Sequence, residues 1–323
     1  MDTPRLPGVP RHARVLSRDG WLSPMDLAPG RELLGYSFER DCLEWTSCTD
    51  VLCHDEPAEC MRLSNSRHDL VFGLGSEVIV RRNTSTVRGR KYGGEILPIA
   101  ASELNTNHSL LVAAPLRETR SVLTPDQAAL LGWIVTDGYF RRRGGGVEAV
   151  IYQSPKKYLD TVIAVAGGKP RAPHPDTGVV CVPVLRERIK PLEPWLSKEE
   201  ELVGCVARLS TRASESMYDA MYLADGSVAP GRKGDYLAVK HPGVRSAFRV
   251  LALFRGYRTS ESSRGCYVSQ RRTLKLASCD IDAAVTDGLW QPVTEMGTCV
   301  VRCGQFITLM GAVAPVRPTK AST

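Results

Sequence analysis

Two aspartates in this 323-residue chain have matching surroundings and could act together on a charged substrate. Asp137 ends an apolar run that begins at Leu130, and Asp225 ends one that begins at Tyr218. A glycine follows each aspartate, and the two aspartates are 88 residues apart. Internal repetition of this kind indicates a duplicated structural unit. Asp137 and Asp225 are therefore candidates for one shared site.

The likeness continues downstream of each Asp-Gly pair. A basic, glycine-rich stretch comes first, then a strand pattern, and then an apolar segment that ends in glycine. Aligning the prolines after the two strands pairs Gln153 with Lys240, which lie 16 and 15 residues after their respective aspartates. The repeated unit is predicted to be helix, Asp-Gly, hairpin, strand and helix.

Small residues recur at four-residue spacing on the two predicted helices, which places them on one face of each helix. They are Gly132 and Thr136 in the first run, and Ala220 and Ala224 in the second. Two such faces can approach closely, so we expect them to form a helix interface. Each aspartate would then end its helix, with Gly138 or Gly226 as a left-handed cap whose backbone lies beside the carboxylate.

Carboxylates brought together at paired helix ends repel each other, and the helix dipole adds negative potential there. A hard cation such as Mg²⁺, or Mn²⁺ in its place, would relieve this repulsion. A metal held beside basic hairpins is suited to activating water against a phosphodiester. The alternative is that Asp-Gly after a helix is ordinary turn punctuation. That alternative is favoured for a single copy and is the weaker account of two matched copies.

From about Thr124 to Asp280, these motifs resemble the LAGLIDADG (DOD-type) homing endonucleases in their single-chain, two-motif form. The resemblance implies an α+β fold with a pseudo-symmetric pair of αββαββα halves, acting as a monomer on double-stranded DNA. It implies that Asp137 and Asp225 bind the catalytic metals. It also places Gln153 and Lys240 on strands near the scissile phosphates.

The flanking segments resemble an intein-type Hint domain, a mostly β horseshoe. The similarity is carried by the opening segments and by the closing segments, which are Arg14 to Trp21, Asp26 to Gly30, Leu43 to Thr46, Trp290, and Thr294 to Ala312. The predicted domains are a Hint-like N-terminal part at 1–117, an endonuclease at 118–282 with halves 118–195 and 196–282, a Hint-like C-terminal part at 283–314, and a tail at 315–323.

The residues that the Hint resemblance implies for splicing are missing. Ala13 stands where the first nucleophile is expected, Gly73 to Ser76 replace Thr-x-x-His, and Ala312 replaces the terminal Asn. Trp290 is followed by Gln291 and not by the Cys that some phage inteins use. We therefore expect a free-standing, phage-like mobile-element endonuclease whose self-splicing has been lost.

A net charge of +7 and a pI near 8.9 are compatible with a polyanionic partner. Basic residues cluster around the repeat, and we interpret them as contacts to DNA phosphates. For any single pair, a solvated turn is the simpler explanation, but recurrence in both halves favours DNA. The predicted DNA contacts are Arg141, Arg142, Arg143, Lys156, Lys157, Arg232, Lys233, His241, Arg271, Arg272 and Lys275.

The other chemistry-bearing residues predict no further site. The ten cysteines include no Cys-x-x-Cys pair, so zinc is not favoured, and free thiols are expected in a reducing cytoplasm. The charge run from Lys198 to Glu201 is interpreted as a solvated helix face. No signal peptide or membrane-spanning run is recognised, so we expect the cytoplasm of a bacterial or phage-infected cell.

The leading hypothesis is a site-specific homing endonuclease that cleaves double-stranded DNA by Mg²⁺-dependent hydrolysis. A second is a cleavage-inactive DNA-binding protein or maturase-like RNA-splicing cofactor derived from such an enzyme. A third is an autoprocessing protein, against which the missing nucleophile argues.

Overall fold

The computed structural model describes residues 5–66, 68–82, 85–87, 90–92, 94–228 and 235–312. These residues form two compact units. The first unit contains residues up to 17, residues 22–114 and residues from 272 onward, whereas the second contains residues 18–21 and 115–271. None of the helices in the described part of the chain has the length and apolar character needed to cross a lipid bilayer.

The elements before the first helix are strands and one 3-10 turn at Ala101–Glu103. The strands are β1 (Val9–Pro10), β2 (Arg14–Ser17), β3 (Gly20–Leu22), β4 (Glu32–Ser37), β5 (Cys42–His54), β6 (Ala58–Asn65), β7 (His68–Gly73), β8 (Glu77–Arg82), β9 (Ser85–Val87), β10 (Arg90–Tyr92), β11 (Ile96–Ala100) and β12 (His108–Leu111).

The elements of the second unit alternate between helices and strands, with a 3-10 segment at Lys190–Trp195. They are α1 (Pro125–Asp137), β13 (Gly138–Arg143), β14 (Gly146–Gln153), α2 (Leu159–Ala166), β15 (Val180–Pro183), α3 (Arg186–Ile189), α4 (Glu201–Val206), α5 (Thr211–Asp225), β16 (Gly226–Val228), β17 (Asp235–Leu237), α6 (Pro242–Phe254), β18 (Arg258–Ser262) and β19 (Gly265–Ser269).

The chain then returns to the first unit with five more strands and a 3-10 turn at Leu276–Ser278. The strands are β20 (Thr273–Lys275), β21 (Asp280–Thr286), β22 (Leu289–Thr294), β23 (Thr298–Cys303) and β24 (Phe306–Gly311).

The first unit is built on one long sheet made from both ends of the chain. Its strand order is β1-β22-β5-β4-β2-β23-β24-β8-β12-β20, and β21-β6-β7 form a smaller antiparallel sheet. Val15, Leu33, Val78 and Val301 belong to the core cluster of this unit. Strands from residues 14–17 and 298–303 pair directly, so residues separated by almost the whole chain share one core.

The second unit is a tandem of two α+β halves. In the first half, α1 leads into the antiparallel sheet β13-β14-β15, with α2 between the last two strands. In the second half, α5 leads into the antiparallel sheet β16-β17-β19-β18, with α6 between the two hairpins. The predicted α+β class is therefore observed, with a helix preceding a strand hairpin in both copies.

The two halves depart in detail from the predicted αββαββα pattern. Among the described residues, the first half has three strands, and the short helix α3 and a 3-10 segment stand where a fourth strand was expected. The second half has its four strands. The second unit also ends at residue 271 and not at the predicted 282, because β20 pairs with β12 and β21 pairs with β6 in the first unit.

Candidate active site

Helices α1 and α5 bring the repeated motifs together. Thr124 and Gln127 form a reciprocal capping box that starts α1, and the Ser210 hydroxyl caps α5 by accepting from the Ala213 amide. A Cβ added at Gly132 would lie 2.9 Å from the Met217 carbonyl oxygen and 3.1 Å from the Ala220 Cβ. Gly132 therefore allows close approach of the two helices, which end at Asp137 and Asp225.

The other two predicted interface positions differ in exposure. Ala224 is buried, whereas Thr136 is only partly buried and its hydroxyl donates to the Gly132 carbonyl oxygen at 2.7 Å. The Thr136 hydroxyl is thereby satisfied within its own helix, so it leaves no unpaired donor near the helix pair.

Gly138 and Gly226 are not the left-handed caps that the sequence predicted. Both have extended backbones, with φ of −106° and −78°, because each helix passes directly into the first strand of a hairpin. Glycine is required for a different reason. A Cβ at either position would collide with the carbonyl oxygen four residues earlier, at Ile134 or Tyr222. The sharp helix-to-strand junction places each carboxylate at the start of a sheet.

The two carboxylates lie in one electrostatic environment. Both are partly buried, and burial raises the pKa of Asp137 to about 6, with the negative charge of Asp225 as the second cause. Burial also raises the pKa of Asp225. Each carboxylate is thus more costly to ionise than a solvated one. A pair of acids whose pKa values are both raised by burial is a feature found at functional sites.

Gln153, at the end of β14, holds the Asp137 carboxylate. Its Nε2 donates to Asp137 Oδ2 at 3.2 Å, and its Oε1 accepts from the Ser154 amide at 2.8 Å. The second bond orients the amide so that its NH₂ group faces the aspartate. Gln153 is only 4% exposed, so the protein encloses its side chain in this orientation.

Two lysines act electrostatically on both carboxylates. Lys157 and Lys198 each lower the pKa of Asp137 and of Asp225. The Lys198 Nζ also donates to the Gly138 carbonyl oxygen at 2.9 Å. Burial lowers the pKa of Lys198, and the negative charges of the two aspartates partly oppose this shift. Lys157, one of the predicted DNA contacts, therefore also belongs to the environment of the aspartates.

Lys198 was missed by the sequence interpretation. It lies before α4 begins at Glu201, so it is not part of a solvated helix face. The charge run in which it stands looks like a surface segment, and only the folding of the connection between the halves returns it to the end of α1. Three glutamates follow Lys198 directly in the sequence, so the local pattern gave no reason to pair this lysine with the distant aspartates.

The pairing of Gln153 with Lys240 is wrong in register. Gly138 pairs with Ile151 in the first hairpin, and Gly226 pairs with Leu237 in the second. The position equivalent to Gln153, two residues further on, is therefore Val239. The proline alignment failed because the second half has one more residue before its proline. Lys240 is exposed and lies beyond the end of β17.

The remaining predicted DNA contacts are spread over several environments. Arg143, Lys156 and Arg271 are exposed, and so is His241, which immediately precedes α6. Arg141 forms an exposed ion pair with Glu148, and the Arg142 guanidinium donates to the Glu193 carbonyl oxygen at 3.0 Å. Arg232 and Lys233 lie outside the described residues.

Two of the basic residues belong to the first unit and not to the repeat. Arg272 donates to the Asp41 carboxylate at 2.7 Å, and Lys275 lies on β20, which pairs with β12. Both residues are in the unit that contains β12, whereas the repeat hairpins are in the second unit. Their interpretation as part of the repeat region is therefore corrected.

The donor set suits a hard cation bound together with its substrate. Among the described residues, no group of three or more His, Cys, Asp or Glu side chains is placed to hold a metal ion. Asp137 and Asp225 instead supply two carboxylates, and within the described part of the chain the hydrogen bond from Gln153 to Asp137 is the one side-chain bond made to this pair. Mg²⁺ is commonly bound by one or two carboxylates, with water and substrate phosphate completing its shell.

The positions expected for splicing lie in the first unit. Ala13 and Ala312 are fully buried, and the Ser76 hydroxyl bonds with both the amide and the carbonyl of Gly8 at 2.8 Å. All ten cysteines carry free thiols. Among the contacts of the described residues, one cysteine sulfur lies near a histidine ring. Cys303 Sγ is 3.3 Å from His12 Nε2. Its thiol is buried, which raises its pKa.

A scan of protein-family models gave no match to the chain, and a search of curated proteins also gave none. Solved structures gave distant likenesses. The chain is similar to a splice-inactive variant of the AceL NrdHF class 3 split intein, with TM-score 0.36 and 9% identity, over 95% of this chain and 99% of that one.

Two homing endonucleases match about half of the chain. Mesophilic variants of I-DmoI give TM-score 0.31 and 17% identity, over 49% of this chain and 83% of that one. I-WcaI bound to its DNA recognition sequence gives TM-score 0.34 and 13% identity, over 46% and 77%. I-DmoI has also been crystallised with DNA and Ca, and with target DNA in the presence of Mn or Mg.

The chain is thus structurally similar to an intein over almost its whole length and to LAGLIDADG homing endonucleases over about half of it, as the sequence predicted. All of these TM-scores are below 0.5. We therefore base the functional proposal on the residues of this chain.

Proposed function

We propose that this protein is a site-specific endonuclease that hydrolyses phosphodiester bonds of double-stranded DNA. The observation that carries the proposal is the pair Asp137 and Asp225. Two partly buried carboxylates end two closely packed helices, and burial raises both pKa values. Even with Lys157 and Lys198 nearby, burial leaves the pKa values of both carboxylates raised, so a role in binding a further cation is the best explanation for the pair.

Asp137 and Asp225 would hold Mg²⁺, for which Mn²⁺ is a substitute. The bound ion would supply positive charge to the scissile phosphate and to the attacking water. The protein residues do the remaining work. Gln153 orients the Asp137 carboxylate, whereas Lys157 and Lys198 place positive charge beside both carboxylates, where a phosphate would approach. This lysine pair offsets part of the substrate's charge.

The strands that follow the aspartates would carry the DNA. On the first sheet, Tyr139 and Tyr152 are exposed large side chains, and Arg141 lies on the same strand as Tyr139, two residues further on. Side chains on one face of a twisted sheet can reach base edges, while the exposed arginines contact phosphates. Arg143, Lys156, Arg271 and His241 would contribute further phosphate contacts. Arg232, Lys233 and Lys240 remain candidates for the same role.

The first unit would be a Hint-like domain without splicing activity. The two alanines at the expected nucleophile and Asn positions carry no reactive group, and the Ser76 hydroxyl is engaged by Gly8. In this assignment the unit formed by residues 115–271 is the endonuclease and the unit that surrounds it in sequence is the Hint-like domain.

The proposal is tested by incubating the purified chain with a randomised double-stranded DNA library, with and without Mg²⁺. We expect one family of sites to be cut only when Mg²⁺ is present. Asp225→Asn should lose cleavage and keep binding, whereas Asp176→Asn, in an exposed loop, should cut normally. Cleavage that persists in Asp137→Asn and Asp225→Asn would exclude this site as the catalytic one.

A second candidate function is DNA binding without cleavage, including the role of an RNA-splicing cofactor. One observation favours it: no hydrogen bond to the Asp225 carboxylate occurs among those of the described residues, and apolar Val239 lies at the equivalent of Gln153. Tight, salt-sensitive binding of the selected nucleic acid with no product in Mg²⁺ or Mn²⁺ would support this function over the first.

A further inference from the structure

The smaller antiparallel sheet of the first unit has one covered edge and one open edge. Its strand order is β21-β6-β7, so β21 and β7 are the edge strands. The N-terminal segment covers the end of β7, where the Gly73 amide donates to the Gly8 carbonyl oxygen at 2.9 Å. The Gly75 amide, just beyond β7, donates to the Leu6 carbonyl oxygen at 3.1 Å. Among the described strands, β21 pairs with β6 alone.

The open edge is also the longest one. Strand β21 has seven residues, and each of the other edge strands in the described sheets is shorter. An edge strand presents a row of unpaired N–H and C=O groups that another strand can pair with, so natural proteins keep such edges short, charged or covered. Val285 on β21 is 73% exposed, and Ala283 is exposed as well. The edge therefore offers backbone groups and apolar side chains together.

The apolar side chains of β21 fit a second copy of the same strand in antiparallel orientation. With Ala283 opposite Ala283 of the second copy, Ile281 of each copy lies opposite Val285 of the other. These three side chains are on one face of the strand, because successive residues alternate between faces. Ile281 packs against the core of the first unit, so Val285 of the second copy would extend that apolar surface.

The same register keeps like charges apart. Asp280 lies opposite Thr286 of the second copy, and Asp282 lies opposite Ala284. Within its own sheet Asp282 pairs with Arg62 on β6, and their opposite charges attract. Like charges directly opposite each other destabilise a strand pair. A parallel pairing in register would place each aspartate opposite its own copy, so the antiparallel arrangement is the favoured one.

We infer that β21 is an interaction surface for a second copy of this chain, and that two copies join through it into one continuous sheet with twofold symmetry. The sequence resemblance implied a monomer because both repeated halves are in one chain, but β21 belongs to the other unit. Dimer formation through β21 does not depend on endonuclease activity. Stable interfaces bury about 1,200–2,000 Å², and one strand pair is a smaller contact, so we expect a Kd on the order of 10 µM.

Sedimentation velocity of the full, reduced chain, from about tenfold below to about tenfold above this Kd, tests the association. The dimer fraction should rise with concentration. Val285→Asp places a charge in the apolar patch and should weaken the dimer at least about tenfold. Val122→Asp makes the same change at another exposed valine, in the second unit, and should leave the dimer unchanged. A chain that stays monomeric, or equal effects of the two variants, would overturn the inference.

A charge placed opposite Asp280 gives a test with a predicted sign. Thr286→Lys places a cation opposite Asp280 of the second copy and should tighten the dimer, whereas Thr286→Asp should weaken it. General repulsion between two copies, each with a net charge of +7, would give the opposite order. That opposite order would contradict pairing through β21.

Disulfide trapping tests the register. Ala283→Cys brings two thiols opposite each other, with Cα atoms about 4.5–5.5 Å apart, which a disulfide can span. Thr286→Cys places its two thiols at opposite ends of the paired strands. After mild oxidation, a non-reducing gel should show a covalent dimer for Ala283→Cys only, above the background of the ten native thiols. Crosslinking of both variants, or of neither, would contradict the antiparallel register. If Val285→Asp fails to fold, as judged by thermal melting, the trapping result decides the question.

Discussion

The two halves of the repeated unit are alike where the helices must pack and differ where a side chain meets a carboxylate. Gly132 and Ala220 face each other where the two helices cross. Gly138 and Gly226 occupy equivalent tight junctions, each between a helix and the strand that follows it. At the three glycines an added Cβ would lie less than 3.0 Å from a backbone carbonyl oxygen. Gln153 and Val239 are enclosed residues at equivalent positions, and there the halves carry different side chains. The halves thus share the glycines at the helix-to-strand junctions and differ in a side chain beside a carboxylate.

The halves also differ in how their outer helices are secured. In the second half, Arg249 on α6 is 3% exposed, and it donates to Glu261 at 2.8 Å and to Thr259 at 3.2 Å. Arg245 forms an ion pair with the same glutamate at 2.6 Å. The ion pair between strands in the first half, Arg141 with Glu148, is solvent-exposed. The second half thus contains a buried ionic network, whereas this strand pair of the first half is exposed to solvent.

The largest effect that we expect concerns whether the halves act as one site. Because Lys157 and Lys198 act on both aspartates, each carboxylate should be required for cleavage of both strands. Asp137→Asn and Asp225→Asn should each lower the rate on both strands by at least about 10³-fold, and the double variant should be little worse. Strand-resolved cleavage assays measure this. A single variant that still nicks one strand at the normal rate would show two independent sites.

A smaller effect, on stability, concerns the ionic network. Glu261→Gln leaves Arg249 buried without a counter-charge, which should lower the free energy of unfolding by about 3 kcal/mol. Glu148→Gln makes the same change in the exposed pair of the first half and should cost about 0.5 kcal/mol or less. Urea unfolding of both variants gives the comparison. Equal losses would mean that burial does not distinguish the two ion pairs.

The site could be predicted from the sequence only where its positions are set by local pattern. Asp137 and Asp225 end apolar helical runs with small residues on one face, and that pattern places both aspartates at a helix crossing. Lys198 is 60 residues from Gly138, whose carbonyl it contacts, so no local pattern could place it there. Aligning the prolines paired Gln153 with the wrong residue of the second half. The register is set by strand pairing, in which Gly226 pairs with Leu237.

Lys198 provides a test of the shared part of the site. Lys198→Met removes the charge beside both carboxylates and the hydrogen bond to the Gly138 carbonyl. We expect the cleavage rate to fall by about 10- to 100-fold on both strands alike, with partial recovery in Lys198→Arg. Lys169→Met, at an exposed position, is the matched control. Slowing of one strand only would show that Lys198, like Gln153, acts on one half of the site and not on both.

The last prediction concerns the metal-free protein. It measures how much the ionised carboxylate of each half changes the free energy of unfolding. The pKa of Asp137 is raised from 3.8 to about 6, so the folded state favours the protonated acid. Stability from this group is therefore fully present below about pH 4 and is lost as the pH rises through 6. Asp137→Asn should match the wild type near pH 4 and exceed it by about 1 kcal/mol at pH 7.5, after allowance for solvent screening.

Denaturant unfolding in EDTA at several pH values measures this difference, with Asp176→Asn as a variant for which it should stay flat. Asp225→Asn should change in the same direction, because burial raises the pKa of Asp225 as well. Adding Mg²⁺ should stabilise the wild type more than either variant, since the ion relieves the charge that the substitution removes. An Asp137→Asn protein less stable than the wild type at pH 7.5 in EDTA would show that the ionised carboxylate is stabilised without metal, and the reason for placing a cation between the two halves would then be lost.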